Sequence, residues 1–91
     1  MTKGYYEVQE TRTMQNDYFV FYRKRFQRKT GGCKNRWVVV IRTRTDNIER
    51  IPDMLRTMED FGGKDFGPLS RIFNKRKDAE RAWVWLNMGY S

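Results

Sequence analysis

The chain has 91 residues, a formal net charge of +8, 38% hydrophobic residues and 15% aromatic residues. This length predicts a single domain, residues 1–91, with one modest core, and so many aromatic side chains are untypical of a disordered chain. One cysteine and no histidine exclude an intrachain disulfide framework and a zinc site built from the usual nitrogen and sulfur ligands.

The same composition limits the functions that we expect. The sequence offers no grouping of nucleophile, base and metal ligands, so we expect no enzyme, no catalytic residue, no cofactor and no metal site. No apolar run approaches the ~20 residues that cross a bilayer, and the first residues, MTKGYYEVQETRT, lack the apolar stretch of a signal peptide. We therefore expect no membrane partner and a reducing, cytoplasmic compartment. The excess of positive charge favours a polyanionic partner.

The first half of the chain predicts three strands. Residues 4–13 mix Tyr, Val and Thr with polar residues, and the segment MQND that follows favours a turn. Residues 18–27 and 36–44 are rich in aromatic and β-branched residues, which predicts a second and a third strand. Between them, RKTGGCKN predicts a hairpin loop in which Gly31 and Gly32 adopt positive φ angles.

Two helices are predicted in the second half. After residue 47 the apolar residues are spaced by three, four and three, which is one helical face: Ile48, Ile51, Leu55 and Met58. Gly62 and Gly63 end this helix. Because proline fits the first helical turn, the helix either starts near Asn47 with a kink or has a first turn followed by the helix proper from Pro52. A last helix, residues 75–88, has a short strand before it at residues 69–73. Its predicted buried stripe is Ala79, Ala82, Trp83 and Leu86.

The order β-β-β-α-β-α predicts an α+β fold. Such a fold has a mainly antiparallel sheet of three to four strands with two helices on one face. Side chains alternate between the two faces of a strand. We expect the helices to cover the almost wholly apolar face: Tyr18, Val20, Tyr22, Phe26, Trp37, Val39 and Ile41. Phe19 and Phe21 then lie on the other face, or in the core if a helix or the N-terminus covers that face instead.

Positive charge is segregated in the hairpin. Residues 23–44 contain nine basic residues and no acidic one, whereas residues 46–66 contain six acidic and three basic residues. Arginine holds phosphate through two hydrogen bonds, and exposed aromatic rings stack on unpaired bases. We predict these nucleic-acid-binding residues: Arg23, Arg25, Arg28, Lys29, Lys34, Arg36, Arg42, Arg44, Phe19 and Phe21.

Simpler explanations exist for the same features. Basic residues in a hairpin also stay solvated and deter edge-to-edge aggregation. Trp85 lies off the buried stripe of the last helix, yet packing in the core is the favoured interpretation. Cys33 is expected to be an exposed thiol without a catalytic role.

The closing stretch, RIFNKRKDAERAWVWL, resembles the endings of other small domains made of a sheet and helices, including the arm-type DNA-binding domains of some integrases. In both, a short strand ends in an aromatic residue, and the following helix begins with charged residues and buries Ala and Trp. The resemblance covers about a sixth of the chain. It implies a strand followed by a helix and assigns no role to any residue.

Two functions from different classes are therefore considered. The first is a non-catalytic protein that binds RNA or DNA through the basic hairpin and sheet face. The second is a small inhibitor or adaptor, like phage proteins that block a host enzyme, which docks its basic surface on an acidic or nucleic-acid-binding site of a partner protein. The sequence does not distinguish RNA from DNA or single from double strands, and it leaves the oligomeric state open.

Overall fold

The computed structural model describes residues 5–7, 12–15 and 17–90. Within these ranges a short 3-10 turn, Ile48–Arg50, leads into the first helix. The strands and helices follow in this order: β1 (Tyr5–Glu7), β2 (Arg12–Gln15), β3 (Phe19–Arg28), β4 (Cys33–Ile41), α1 (Ile51–Asp60), β5 (Lys64–Gly67), β6 (Ser70–Phe73) and α2 (Arg76–Tyr90).

The strands form one antiparallel sheet in the order β1-β3-β4-β6-β5, and β2 also pairs with β3. The predicted α+β class, with two helices on one face of a mainly antiparallel sheet, is confirmed. The sheet has more strands than predicted. The first predicted strand is represented by β1 and β2, while its residues 4 and 8–11 lie outside the described residues. The segment KDFG forms β5, where we expected only a turn.

The turn between β3 and β4 fixes how the two long strands face each other. The amide of Arg28 donates a hydrogen bond of 3.0 Å to the carbonyl of Gly32, so residues 29–31 form a three-residue loop. Gly31 and Gly32 have φ angles of 103° and 75°, which confirms their predicted conformation. A loop with an odd number of residues pairs odd-numbered residues with odd-numbered partners, and even with even.

This register corrects the predicted assignment of the sheet faces. Phe19 lies opposite Ile41 and Phe21 opposite Val39, so the odd-numbered residues of both strands share one face. The prediction instead joined the even-numbered residues of β3 to the odd-numbered residues of β4. A shift of one residue turns every side chain of a strand to the other face. Tyr22 and its even-numbered neighbours on β3 therefore point away from the helices.

The core lies between the odd-numbered face and the two helices. Trp83 of α2 meets the rings of Phe19 and Phe21 edge-on, with centroids 6.3 and 5.8 Å away. The predicted stripe of α2 is confirmed, because Leu86 is fully buried and Trp83 packs against the core. The predicted stripe of α1 is confirmed only in part: Met58 is fully buried, but Ile48 is 50% exposed and Met54 is buried instead. The buried core of the described residues comprises Phe19, Phe21, Val39, Ile41, Met54, Met58, Phe73, Ala79, Ala82 and Leu86.

Specific contacts fix both ends of α1. The buried side chain of Asn47 accepts a hydrogen bond from the Arg44 amide and donates one to the Arg42 carbonyl, which orders the loop after β4. The helix begins at Ile51 with Pro52 in its first turn, which confirms the second of the two predicted starts. After the helix, Gly63 has no space for a side chain, since a Cβ there would lie 2.8 Å from the Met58 carbonyl oxygen.

The two faces of β3 predict different costs for neighbouring substitutions. Phe21→Ala is expected to lower the free energy of unfolding by about 3–5 kcal/mol, because it leaves a cavity in the core. Tyr22→Ala, one residue further along, is expected to cost about 1 kcal/mol or less, the size of a cross-strand contact. Urea unfolding measures both variants. A larger loss for Tyr22→Ala than for Phe21→Ala would contradict the register.

Candidate nucleic-acid interface

The distal part of the β3–β4 hairpin extends past the apolar core. Strand β6 pairs with β4 only from Trp37 to Val40, and the described hairpin residues that join the core all lie outside residues 24–36. We call residues 24–36 the arm. Strand β1 pairs with residues 26–28 and makes the arm three-stranded near its tip. The molecule is accordingly elongated, 45 Å long and about 20 Å across.

Six of the eight predicted basic residues lie on or beside the arm. Arg23 and Arg25 lie on the face against which the helices pack, and Lys34 and Arg36 lie on the opposite face. Arg28 and Lys29 lie at the tip of the hairpin. Arg42 and Arg44 follow the other end of β4. Eight residue steps of a strand cover roughly 27 Å, so these two arginines are far from the tip.

Arg44 is held by residues of its own region. Its Nε lies 3.6 Å from Asp46 Oδ1, and its guanidinium lies over the ring of Tyr18 at 5.2 Å. The Tyr18 hydroxyl donates a hydrogen bond of 3.2 Å to Asp46 Oδ2. The Asp46 carboxylate thus offsets the positive charge at this end of the hairpin. Residues 24–36 contain no acidic residue, and Glu7 of β1 pairs with Phe26 beside them.

Phe19 and Phe21 are core residues in the structure. Phe19 is 0% exposed and Phe21 4% exposed, and the ring of Trp83 covers both. A base can stack on either ring only if α2 leaves the sheet. Their predicted role as stacking platforms is therefore corrected, and the physical reason is the register described above.

The even-numbered residues form a second sheet face, on which neither α1 nor α2 packs. We call it the open face. Val38 at its centre lies between Tyr22 and Ile72 and is fully buried, so the face has an apolar middle. Its described residues include Val20, Tyr22, Lys24, Phe26, Lys34, Arg36, Val38, Val40, Lys64, Phe66 and Ile72.

Ammonium groups lie over three aromatic rings of the open face. Lys24 Nζ is 5.7 Å from the centroid of the Tyr22 ring and 5.3 Å from that of Phe66. Lys34 Nζ is 5.9 Å from the centroid of the Phe26 ring. Because β4 and β6 separate Lys24 from Phe66, the Lys24 side chain reaches across the sheet. The three rings therefore turn towards the surface, where cations reach them.

Two cationic side chains oppose each other on this face. Lys24 and Arg36 are direct cross-strand partners, and like charges in that position destabilise an antiparallel pair. The guanidinium of Arg36 also donates a hydrogen bond of 2.8 Å to the Asn35 carbonyl.

The helix-side face of the arm carries a second polar feature. Arg25 lies opposite Asn35. Among the described residues, the buried Nε of Arg25 and the buried Oδ1 of Asn35 have no hydrogen-bond partner. A buried guanidinium N–H without an acceptor costs free energy, and an anion that accepts its hydrogen bond would remove that cost.

A separate apolar surface lies on the outer side of α2. We call Phe61, Val84, Trp85 and Met88 the α2 patch. Val84, Trp85 and Met88 are 53%, 59% and 77% exposed. The Trp85 ring lies 6.1 Å from that of Phe61, and both line a cleft of about 490 Å³ together with Arg81. Trp85 is thus a surface residue, which corrects the expectation that it packs in the core.

Groups that carry other chemistry are few in the described part of the chain. Cys33 is an exposed thiol at the start of β4. The described residues contain no group of three potential metal ligands. Neither described helix is long and apolar enough to cross a membrane.

Sequence reasoning missed four residues of the open face: Tyr22, Lys24, Phe26 and Phe66. Part of the signal was present, because Tyr22, Lys24 and Phe26 alternate along one strand and must therefore share a face. Phe66 carried no such signal, since its segment predicted a turn and its position follows from the pairing of β5 with β6.

Comparison of the chain with protein-family models, with curated proteins and with solved structures finds no match. Function is therefore inferred from the residues and geometry of this chain.

The opposed charges predict that one substitution on the arm stabilises the fold. Arg36→Glu is expected to raise the free energy of unfolding by about 0.2–1 kcal/mol, because the new carboxylate faces Lys24 across the strands. Lys29→Glu, which makes the same charge change in the turn, is the control and is expected to change stability less. Urea unfolding at low salt measures both variants. A loss of stability in Arg36→Glu alone would contradict the conflict between Lys24 and Arg36.

Proposed function

We propose that the protein is a small nucleic-acid-binding protein without catalytic activity. The observation that carries this proposal is the arm, which extends past the apolar core and holds six basic residues and no acidic one among residues 24–36, with Glu7 of β1 paired beside it. Positive charge concentrated on one projecting element creates a field that attracts a polyanion. The Asp46 carboxylate, by contrast, compensates the charge of Arg44 at the other end of the hairpin.

Several residues of the arm would bind phosphates together. Arg23, Arg25 and Arg36 present planar guanidinium groups, which bind phosphate oxygens through paired hydrogen bonds. Lys29 and Lys34 act as point charges that track the backbone. Because the arm is basic on both faces, a strand of nucleic acid can meet positive charge whichever face it approaches.

The pairing of two cationic residues on the open face supports the same proposal. Lys24 and Arg36 are direct cross-strand partners, so a phosphate bound between them would be attracted by two cations. Binding of the anion to the folded state then stabilises the protein by mass action. We place this activity in the cytoplasm, where a lone exposed thiol such as Cys33 stays reduced.

A second candidate function is favoured by the α2 patch. Exposed Trp and Met beside arginine are the residue types enriched in protein interfaces. The protein would then be an inhibitor or adaptor, of the kind that phages use, whose partner contacts Trp85 while the arm lies on an acidic or nucleic-acid-binding site. A stoichiometric partner that is captured from nuclease-treated lysate and lost in Trp85→Ser would favour this function over the first.

The primary proposal predicts salt-dependent binding that depends on the arm. Affinity for a labelled 20-nucleotide RNA or DNA is expected to fall with salt, with a slope of log K on log salt of about −0.7 for each phosphate contact on a single strand. Arg28→Glu combined with Lys29→Glu is expected to reduce this slope by about 1.4, since two contacts are lost. Fluorescence anisotropy over a salt series measures it.

The control variant makes the same charge change at the start of α2. Lys75→Glu combined with Lys77→Glu leaves the arm intact, and acidic residues suit the start of a helix. This control is expected to keep the slope within about 0.3 of the wild type, a fraction of one phosphate contact. Undetectable binding at low salt, or equal losses in both double variants, would refute a role for the arm.

A further inference from the structure

We propose that the open face makes this protein selective for single-stranded nucleic acid, whose unpaired bases stack on Tyr22, Phe26 and Phe66. This inference rests on the proposed function, because the arm supplies the phosphate contacts. It adds a ligand class that charge alone does not specify. RNA and DNA both expose stackable bases when unpaired, so the inference concerns strandedness and not the sugar.

The three rings are reachable from solvent. Phe66 is 38% exposed, and Tyr22 and Phe26 are half-buried rather than enclosed. Each ring already receives an ammonium group over it, from Lys24 or Lys34. Movement of the lysine side chain would therefore make the same ring available to the flat face of a base.

A stacked base should displace the lysine. An exposed contact between an ammonium group and a ring changes an equilibrium constant about two- to fivefold. A base stacked on an aromatic side chain is worth about five- to 150-fold. The base therefore displaces the lysine from the ring, and the ammonium group then lies beside the phosphates of the same strand. Lys24 and Lys34 can then exchange a ring contact for an ion pair as the ligand binds.

The rings also form one connected platform. Tyr22 and Phe66 both contact the same Lys24 Nζ, so their centroids are no more than about 11 Å apart. The fully buried Val38 lies beside Tyr22 and gives an apolar floor between the rings. Phe26 lies four residues along the same strand and extends the platform into the arm. One extended strand can therefore contact rings and arm together.

Duplex binding in a groove fits the arm less well. A two-stranded ribbon enters the major groove, which is about 12 Å wide. Pairing of β1 with residues 26–28 makes the arm three-stranded near the tip, and three strands at their usual spacing are roughly 14 Å wide. Bases in a duplex also hide their faces in the helical stack. The platform is therefore useful only to unpaired bases.

The test compares a single-stranded 20-nucleotide oligomer of mixed sequence with the duplex of the same sequence. Wild-type protein is expected to bind the single strand at least tenfold more tightly. Phe66→Ala, and separately Tyr22→Ala, are expected to weaken single-strand binding about five- to 150-fold and leave duplex binding unchanged. The salt slope should not change, because stacking releases no counterions. Phe66→Tyr and Tyr22→Phe keep an aromatic ring and should keep the affinity.

The outcomes separate this inference from the proposed function. Equal wild-type affinity for both oligomers, or equal losses for both in the alanine variants, would overturn the platform and leave phosphate binding by the arm in place. No salt-dependent binding to either oligomer would overturn the proposed function as well. Circular dichroism of each variant confirms that a changed affinity does not come from unfolding.

Discussion

The three-residue turn between Arg28 and Gly32 determines which side chains the rest of the structure can use. Its odd length pairs Phe19 with Ile41 and Phe21 with Val39, so these residues form the floor on which both helices pack. A turn longer or shorter by one residue would exchange the two faces of one strand. The aromatic rings of the other face would then have to be buried with Lys24. The positive φ angles of two consecutive glycines make this turn possible.

The same register gives the sheet one face that forms the core and one face that can bind a ligand. The odd-numbered face is covered by helices and closed by Trp83. The even-numbered face keeps its aromatic rings beneath lysine side chains and places Lys24 against Arg36. A cross-strand pair of like charges destabilises a sheet by much less free energy than the burial of a core phenylalanine contributes. The fold therefore tolerates a basic, aromatic surface, and that surface is the part of the molecule that a polyanion suits.

Local signals in the sequence predicted most of the elements but not their relative register. Spacing placed the stripe of α2, part of the stripe of α1 and the two long strands, because period and turn residues are local properties. The register depended on one residue in the turn, and both faces of β4 are rich in valine, so hydrophobicity could not choose between them. Strand β5 was missed because it is stabilised by tertiary contacts: Arg71 bonds Asp65 and the Gly67 carbonyl. Trp85 was assigned to the core although it lies off the buried stripe of α2, and it is 59% exposed.

The most direct test of this account is a map of which side chains respond to a single-stranded oligonucleotide. Nuclear magnetic resonance of the protein, titrated with the oligomer at low salt, resolves the aromatic rings of the two faces. The account predicts that the ring signals of Tyr22, Phe26 and Phe66 shift together with amides of the arm, while those of the buried Phe19 and Phe21 change little. Shifts confined to the α2 patch around Trp85, or no shifts at all, would contradict it.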